Sequence, residues 1–316
     1  MHIRVQTWKE INKEQLAKYF FETRQQEGLL SESTTKETYL NYFEWAAARS
    51  DSVPIIAYSN DHITGWLGFF SFVPKICTIG RWHPVVKPGP QRERIARELL
   101  QSAVSHARAQ GFERFEAELT EITPKTESHA QEYQGWFGDL GLSLATEEAR
   151  LERELSQESL PPLDLPPGFE FIPLNEYTNE ELQEPFFDMF DNSIDRFWLS
   201  QTAEQRVDQY KTWFNRERAF IDQATSVLVK DKEIIGVTVV VQVQDVGMLG
   251  PIGVVPRFRR QGLGRRLLGF SMRGTLASGF SKVQLEFDIT NKPALALYDA
   301  TGFQYVHGLR IFVMAL

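Results

Sequence analysis

The feature that most constrains the fold is a glycine-containing loop between two apolar segments, within residues 252–268. An apolar run ends at Pro256, which cannot donate to a sheet ladder and therefore favours the end of a strand. After Gly262 and Gly264, leucines recur at helical spacing. The sequence therefore predicts a strand, a glycine loop and a helix in succession, with the free amides of the first helical turn available to a pyrophosphate.

Two other glycine-rich phosphate loops fit this stretch poorly. A Walker A loop ends in Gly-Lys-Ser/Thr, whereas Gly264 is followed by Arg265. The dinucleotide-binding fingerprint requires a third glycine at the position that Leu267 occupies. The loop is therefore of another type.

Composition limits the classes of protein to be considered. A chain of 316 residues is long enough for two domains, and its net charge of −8 argues against a general nucleic-acid binder. The single cysteine, Cys77, excludes an internal disulfide and a cysteine-rich metal site. No run of about 18 apolar residues is present. We expect a cytoplasmic protein with no metal and no nucleic-acid or membrane partner.

The two halves of the chain repeat the same order of strand and helix patterns. The segment that begins Gly279-Phe matches the one that begins Gly111-Phe, at an offset of 279 − 111 = 168. Further on, Gly302 and Gly141 differ by 302 − 141 = 161, so the first half contains seven extra residues. A repeat of this length indicates the duplication of a whole domain.

A proline-rich segment separates the two halves. Residues 156–168 contain four prolines, which do not fit inside a helix or a central strand. We therefore predict a semi-rigid linker at 156–168, between a first domain at 1–155 and a second at 169–316.

A second informative stretch follows the glycine helix. Val283–Phe287 alternates apolar and polar side chains, which predicts a strand with Glu286 on the face opposite Leu285. Pro293 suits the first turn of a helix that ends near Gly302.

Together these two stretches resemble the GNAT superfamily, the Gcn5-related N-acyltransferases. The loop matches its Arg/Gln-x-x-Gly-x-Gly/Ala signature, and the second stretch matches at Glu286, Asn291, Ala294, Leu297, Tyr298, Gly302 and Phe303. The resemblance covers 169–316 well and the first half in outline. It implies an α/β (α+β) protein with two tandem GNAT folds, each a mixed, mostly antiparallel sheet flanked by helices. This two-repeat architecture is similar to that of mycothiol synthases, although the matching residues do not select that substrate.

The resemblance also implies acetyl-CoA as co-substrate and assigns the residues that bind it. The backbone of Ile252, Gly253 and Val254 would pair with the pantetheine arm, and Asn291 would hydrogen-bond it further along. The loop residues Arg259, Arg260, Gln261, Gly262, Leu263, Gly264 and Arg265 would hold the pyrophosphate.

By the same resemblance, Tyr298 is the general acid for the departing thiolate and Glu286 is the general base for the amine. A phenol is protonated at neutral pH and can supply a proton. Asp288 and Asp245 are rival bases, and deprotonation by bulk water is a further alternative. Some family members use an acid on the preceding strand, but Met248 occupies that region here.

The first half has lost the matching groups, with Arg94 in place of the loop glycine and Phe137 in place of the phenol. We predict that it serves as a scaffold or shapes the substrate site, and whether it binds coenzyme A is open. The predicted function is N-acetyl transfer to an amine, in a small molecule or a protein, without a covalent enzyme intermediate. The alternative is a non-catalytic, coenzyme-A-binding regulatory or scaffold protein. The acceptor site would use the aromatic region 179–220, and the oligomeric state stays open.

Overall fold

The computed structural model describes residues 2–30, 34–161 and 163–316. The chain divides into two compact units. The first unit consists of residues 1–146 together with 309–316, and the second consists of residues 147–308. Each unit combines a sheet with flanking helices.

The first unit contains most of the N-terminal elements. They are β1 (His2–Val5), α1 (Lys13–Glu27), α2 (Lys36–Ala47), β2 (Ser52–Ser59), β3 (His62–Val73), β4 (Ile76–Ile79), β5 (Val85–Val86), α3 (Arg92–Ala109), β6 (Arg114–Ile122) and α4 (Glu127–Leu140). The next strand, β7 (Ser143–Glu154), begins in the first unit and ends in the second.

The second unit follows a similar order. Its elements are β8 (Phe169–Pro173), α5 (Asn179–Asp191), α6 (Arg196–Ser200), α7 (Ala203–Trp213), β9 (Ser226–Lys230), β10 (Glu233–Val243), β11 (Val246–Val254), α8 (Leu263–Ala277), β12 (Lys282–Asp288) and α9 (Lys292–Ala300). The last strand, β13 (Gln304–Ala315), begins in the second unit and ends in the first.

Both sheets are mostly antiparallel, as predicted. In the first unit the strand order is β1-β2-β3-β4-β6, followed by the end of β13, and β5 pairs with β3. In the second unit the order is β8-β9-β10-β11-β12, followed by residues 147–154 of β7. Parallel pairing occurs at two equivalent places, between β4 and β6 and between β11 and β12. The prediction of a mixed, mostly antiparallel sheet flanked by helices is confirmed.

The elements around the predicted loop follow directly from their hydrophobic patterns. Residues 235–241 of β10 are buried throughout, which is typical of a central strand covered on both faces. On α8, Leu263, Leu267 and Leu268 form a buried stripe, while Arg265 lies on the exposed side. In the part of the chain that the structure describes, no helix is both long and apolar enough to cross a bilayer.

The compact units do not divide at the proline-rich segment. The predicted linker lies within the second unit, where two arginines of α8 bind its backbone. Arg273 donates to the carbonyl of Pro161 at 2.9 Å, and Arg266 Nε donates to the carbonyl of Asp164 at 2.5 Å. Pro162 lies outside the described residues. The segment is therefore held along α8, and the boundaries of the compact units lie instead inside β7 and β13.

We expect Phe312, near the C-terminus, to stabilise the first unit. Its ring is 2% exposed and lies 5.1 Å from the ring of Phe137 on α4. Phe312→Ala should lower the free energy of unfolding by about 3–5 kcal/mol, because it leaves a cavity in the core. Hydrogen exchange measured by mass spectrometry should accelerate in peptides from α4 and β6.

The half-exposed Val306 of the same strand offers a control, and Val306→Ala should change stability by less than about 0.5 kcal/mol. Unchanged exchange in α4 and β6 would contradict the assignment of this segment to the first core.

Candidate functional site

The loop between β11 and α8 turns through two residues with left-handed backbone. Arg260 has a φ of 63° and Gly262 a φ of 73°. A short 3-10 helix, Pro256–Phe258, precedes them, and Gly262 is the N-cap of α8. This conformation favours glycine, and at 262 a Cβ would also meet Nη1 of Arg266 at 2.8 Å.

The start of α8 leaves a row of backbone amides free. The first bond of the helix runs from the amide of Arg266 to the carbonyl of Gly262, at 3.3 Å. Within the described residues, the amides of 261–265 donate to no backbone or side-chain acceptor. These amides and the positive end of the helix dipole lie at the loop for which the sequence predicts pyrophosphate binding, and a helix start of this kind suits an anion.

The parallel strands β11 and β12 stop pairing partway along their length. Paired residues run from Gly247 with Val283 to Leu249 with Leu285, although β11 continues to Val254. On the other side of β11, the register against β10 shifts between Thr238 and Val240, and β11 accommodates one extra residue there. Among the described residues, the carboxyl-terminal part of β11 therefore has no strand partner on its β12 side.

Along the edge of β11 that faces away from β10, two of the residues predicted to bind the coenzyme direct their backbone groups outwards. The amide of Val255 donates to the carbonyl of Ile235 at 2.9 Å, so 255 and 253 are the positions bonded to β10. In an antiparallel ladder the alternate residues, Ile252 and Val254, then direct their amides and carbonyls away from β10, although the carbonyl of Val254 already accepts a hydrogen bond from Arg259. Gly253 lies closely under α5, because a Cβ there would meet Met189 Sδ at 3.2 Å.

The side chain of Arg259 binds backbone carbonyls and is not directed to the free amides of α8. Its guanidinium donates to the carbonyls of Val254 at 3.0 Å, Asn192 at 2.7 Å and Met189 at 2.7 Å. These contacts fasten the end of α5 to the end of β11. A contact between this side chain and a phosphate would require it to leave all three carbonyls, so its structural role here is a brace.

The helix after β12 supplies two more predicted residues. Asn291 is the N-cap of α9, and its Oδ1 accepts a hydrogen bond from the amide of Ala294 at 3.1 Å. The side-chain amide group of Asn291 is left to donate elsewhere. Because β11 and β12 are parallel, the loops that follow them lie at the same edge of the sheet, which brings α8 and α9 together. A Cβ at Gly264 would lie 3.6 Å from Leu297 of α9.

Tyr298 of α9 is buried among apolar rings. Its ring lies 5.4 Å from that of Phe287 and 5.7 Å from that of Phe303. Burial, with a smaller contribution from the negative charge of Asp195, raises the pKa of the Tyr298 phenol above its usual value. The hydroxyl therefore keeps its proton at neutral pH and well into the alkaline range.

Glu286 lies on the exposed face of β12, as the alternation predicts. Its side chain is 42% exposed and pairs with Arg150 of β7. Both Nε and Nη2 of Arg150 donate to Oε1 of Glu286, at 3.1 and 2.6 Å. Sequence analysis missed Arg150, because nothing in the sequence shows which strand lies beside β12.

The two rival bases are in less suitable places. Asp288 is 3% exposed, and its carboxylate accepts hydrogen bonds from the amide of Arg196 and from the amide and hydroxyl of Thr290. It therefore fastens α6 to the end of β12. Asp245 lies in the turn before β11, and the nine-residue strand separates it from the loop by about 30 Å.

The aromatic residues of 179–220 are mainly core. Phe186 is 1% exposed, Trp198 is fully buried, and they pack with Tyr210 and Phe214 against β10 and β11. Arg206 lies over the ring of Trp198 and binds Asp191 at 2.9 Å. The side chain of Phe197 lies outside the described residues. Phe186 and Trp198 therefore support the sheet beneath the site, whereas Phe187 and Phe190 are only partly buried.

In the first unit, the corresponding opening between parallel strands is bridged by the chain itself. β4 and β6 pair from Ile76 to Thr78, after which Trp82 takes over. The amide of Trp82 donates to the carbonyl of Glu118 at 3.2 Å, and its indole nitrogen donates to that of Thr120 at 2.6 Å.

The helix that follows this opening in the first unit, α3, also begins earlier than α8, its counterpart in the second unit. α3 has 18 residues and α8 has 15, and the glycines after their C-terminal ends, Gly111 and Gly279, are those that match at the offset of 168. Aligned there, α3 extends three residues further, or about 4.5 Å, towards its N-terminus. Arg94 lies inside this extra turn, where the second unit has its glycine loop.

Two other chemistries have no support among the described residues. No group of three or more His, Cys, Asp or Glu side chains there is placed to hold a metal ion. Cys77 is buried, and its burial raises the pKa of the thiol to about 12. A thiol in this environment is a poor nucleophile, because the thiolate is the reactive form.

Comparison with solved structures shows the same fold in three proteins. A GCN5-related N-acetyltransferase from Sphaerobacter thermophilus aligns with 99% of this chain and 95% of its own at a TM-score of 0.62 and 14% identity. A tandem GNAT protein from the clavulanic acid biosynthesis pathway aligns with 99% of this chain and 98% of its own, at a TM-score of 0.55 and 15% identity. The GCN5-related glucosamine N-acetyltransferase region of a fungal multi-domain β-N-acetylglucosaminidase has a TM-score of 0.61 and 14% identity. The alignment covers 99% of this chain and 38% of the fungal chain.

Comparison of sequences is more specific about the family. No curated protein sequence matches the chain significantly. The sequence profile of the acetyltransferase (GNAT) family, however, matches twice, at residues 9–130 and at residues 178–303. The predicted resemblance and the tandem arrangement are thereby confirmed. The chain belongs to the acetyltransferase (GNAT) family and carries two copies of its fold.

Proposed function

We propose that the second unit transfers an acetyl or other short acyl group from acyl-CoA to an amine. The observation that carries this proposal is the free edge of β11 beside the free amides of α8. A strand edge suits the amide-containing pantetheine arm, and the helix start suits the pyrophosphate. Both features lie at the same edge of the sheet, in the order in which these two parts of the coenzyme are joined.

The backbone would do most of the coenzyme binding. Ile252 and Val254 would pair with the pantetheine amides, and the amides of 261–265 would bind the pyrophosphate. Arg260 and Arg265 add positive charge, and the side-chain amide of Asn291 can donate to a carbonyl of the arm. Arg259 would help indirectly, by holding the end of α5 against β11.

The chemical step needs one proton acceptor and one proton donor. The ammonium form of the acceptor would lose a proton to Glu286, directly or through water, and the freed lone pair would attack the thioester carbonyl and form the carbon–nitrogen bond. Collapse of the tetrahedral intermediate restores the carbonyl, breaks the carbon–sulfur bond and leaves coenzyme A as a thiolate, and the nitrogen releases its second excess proton to water. Tyr298 would donate to this sulfur, since a phenol is protonated at neutral pH.

We place the reaction in the second unit and assign the first unit a scaffold role. In the first unit the strand opening is bridged by Trp82, and the extra turn of α3 extends into the loop region. Phe137 has no hydroxyl to donate. The catalytic domain would be the second unit, residues 147–308, in place of the 169–316 expected from the sequence.

The acceptor is proposed only as a class, a primary amine in a small molecule or at a protein N-terminus. One of the structural relatives is described as a glucosamine N-acetyltransferase region, and this makes an amino sugar a reasonable first substrate to test. A panel of glucosamine, kanamycin, spermidine and a short peptide with a free N-terminus covers the main chemical types. Release of coenzyme A with none of them would favour the non-catalytic alternative.

The first test concerns the glycine loop. Gly262→Arg should weaken acetyl-CoA binding at least tenfold, because the new side chain strains the backbone and crowds the free amides. Isothermal titration calorimetry with acetyl-CoA would measure the effect.

Gly279→Arg is a matched control for this change. Gly279 follows the other end of the same helix and has a φ of 91°, and a Cβ added there would meet no atom within 4 Å. The substitution therefore imposes similar strain away from the anion site and should leave acetyl-CoA affinity unchanged. Equal affinity in the Gly262 and Gly279 variants would refute binding at the loop.

The second test concerns the phenol. Tyr298→Phe should reduce kcat by about 10²–10⁴-fold and leave the KM for acetyl-CoA nearly unchanged, because it removes a proton donor and keeps the packing. Steady-state kinetics with the fastest acceptor of the panel would show the change.

Tyr210→Phe provides the comparison for loss of a buried phenol. Tyr210 is 2% exposed, and its hydroxyl donates to the carbonyl of Asn179, away from the thioester. This variant should lose some stability and retain its kcat. Similar kcat values in the two tyrosine variants would show that Tyr298 has only a packing role.

A further inference from the structure

A strand from the first half of the chain lies beside the strand that carries Glu286. Residues 148–154 of β7 pair antiparallel with β12 along its whole length, from Glu148 with Asp288 to Glu154 with Lys282. These β7 residues precede the proline-rich segment in sequence and belong to the second unit. The proposed site is therefore bordered by a strand that the C-terminal half does not encode.

Arg150 and Glu286 are directly opposite each other in this ladder. Opposed residues of an antiparallel pair have Cβ atoms about 5 Å apart, and here the two side chains meet. Two nitrogens of Arg150 converge on Oε1 of Glu286, while Oε2 has no hydrogen-bond partner among the described residues. The carboxylate is thus held by one oxygen and keeps the other available.

The ion pair has little value for stability. Arg150 is 31% exposed and Glu286 is 42% exposed, and pairs of this kind contribute little to folding. The same ladder contains a second pair, in which Lys282 Nζ lies 3.1 Å from Glu152 and 3.0 Å from Glu154. That pair lies towards the other end of β12, away from α9, and gives an internal comparison.

We propose that Arg150 is a positioning residue that fixes the Glu286 carboxylate for deprotonation of the acceptor amine. This inference rests on the proposed function, in which Glu286 is the base. Arg150 holds Oε1, so that Oε2 faces the amine or a bridging water in one rotamer. Besides Arg150, the charged neighbours of Glu286 on the two strands are Glu148 and Glu152 on β7 and Asp288 on β12.

The proposal links the two halves of the sequence through one side chain. A long carboxylate side chain loses much of its rotational freedom when an arginine holds it, and that entropy is then not lost again in the transition state. Removal of Arg150 should therefore lower kcat by about tenfold. The KM for acetyl-CoA should stay the same, because Arg150 is not among the residues proposed to bind the coenzyme.

The experiment is a double-mutant cycle in the full-length chain. Arg150→Gln, Glu286→Gln and the double variant are assayed with acetyl-CoA and the fastest acceptor of the four-member panel. We expect each single variant to lower kcat, and the double variant to be no slower than Glu286→Gln. Arg150→Lys should restore part of the rate, since it returns the positive charge with fewer donors.

Lys282→Gln is the matched control, since it breaks the neighbouring ion pair and should not change kcat. If Glu286→Gln is slow and Arg150→Gln has the wild-type rate, the positioning role is wrong and the proposed function stands. If the two effects multiply in the double variant, Arg150 acts independently of Glu286 and the inference fails. A wild-type rate in Glu286→Gln would overturn the inference and the assignment of Glu286 as the base, while acyl transfer itself would stand. No turnover of any panel amine by the wild type would overturn the proposed function, and the inference with it.

Discussion

The arrangement of the second unit depends on the point at which β11 and β12 cease to pair. One extra residue in β11 accompanies the end of the ladder after Leu249 and leaves the last part of the strand without a neighbour. A free strand edge is normally a liability, because its amides and carbonyls attract other chains. Here the edge ends beside the open amides of α8, so the unsatisfied backbone groups of two elements are concentrated in one place.

The first unit shows how the same fold closes this opening. Its parallel pair ends at an equivalent position, but Trp82 supplies donors to two carbonyls of β6, and α3 begins a turn earlier than α8. Buried backbone groups must find partners, and in the first unit Trp82 provides two of them. The difference between the two units therefore lies in how the backbone is satisfied, and the loss of one glycine is only part of it.

Local signals in the sequence were sufficient for the loop and for the elements on either side of it. Glycine backbone preference, the leucine stripe of α8 and the proline in the first turn of α9 are encoded within a few residues, and the structure has each where it was expected. The brace formed by Arg259 and the partner of Glu286 could not be predicted. The sequence does not indicate which carbonyl or carboxylate an arginine will bind, because that depends on which segments the fold brings together.

For the same reason, the sequence did not predict that each half of the chain contributes a strand segment to the sheet of the other half. Residues 147–154 complete the sheet of the second unit beside β12, and 309–316 complete the sheet of the first beside β6. A strand pattern encodes which face is buried and does not specify its neighbour. It follows that a chain divided at the proline-rich segment would leave both sheets with an unpaired edge. Such edges favour pairing with another chain, so we expect either half alone to be more prone to association than the full-length chain.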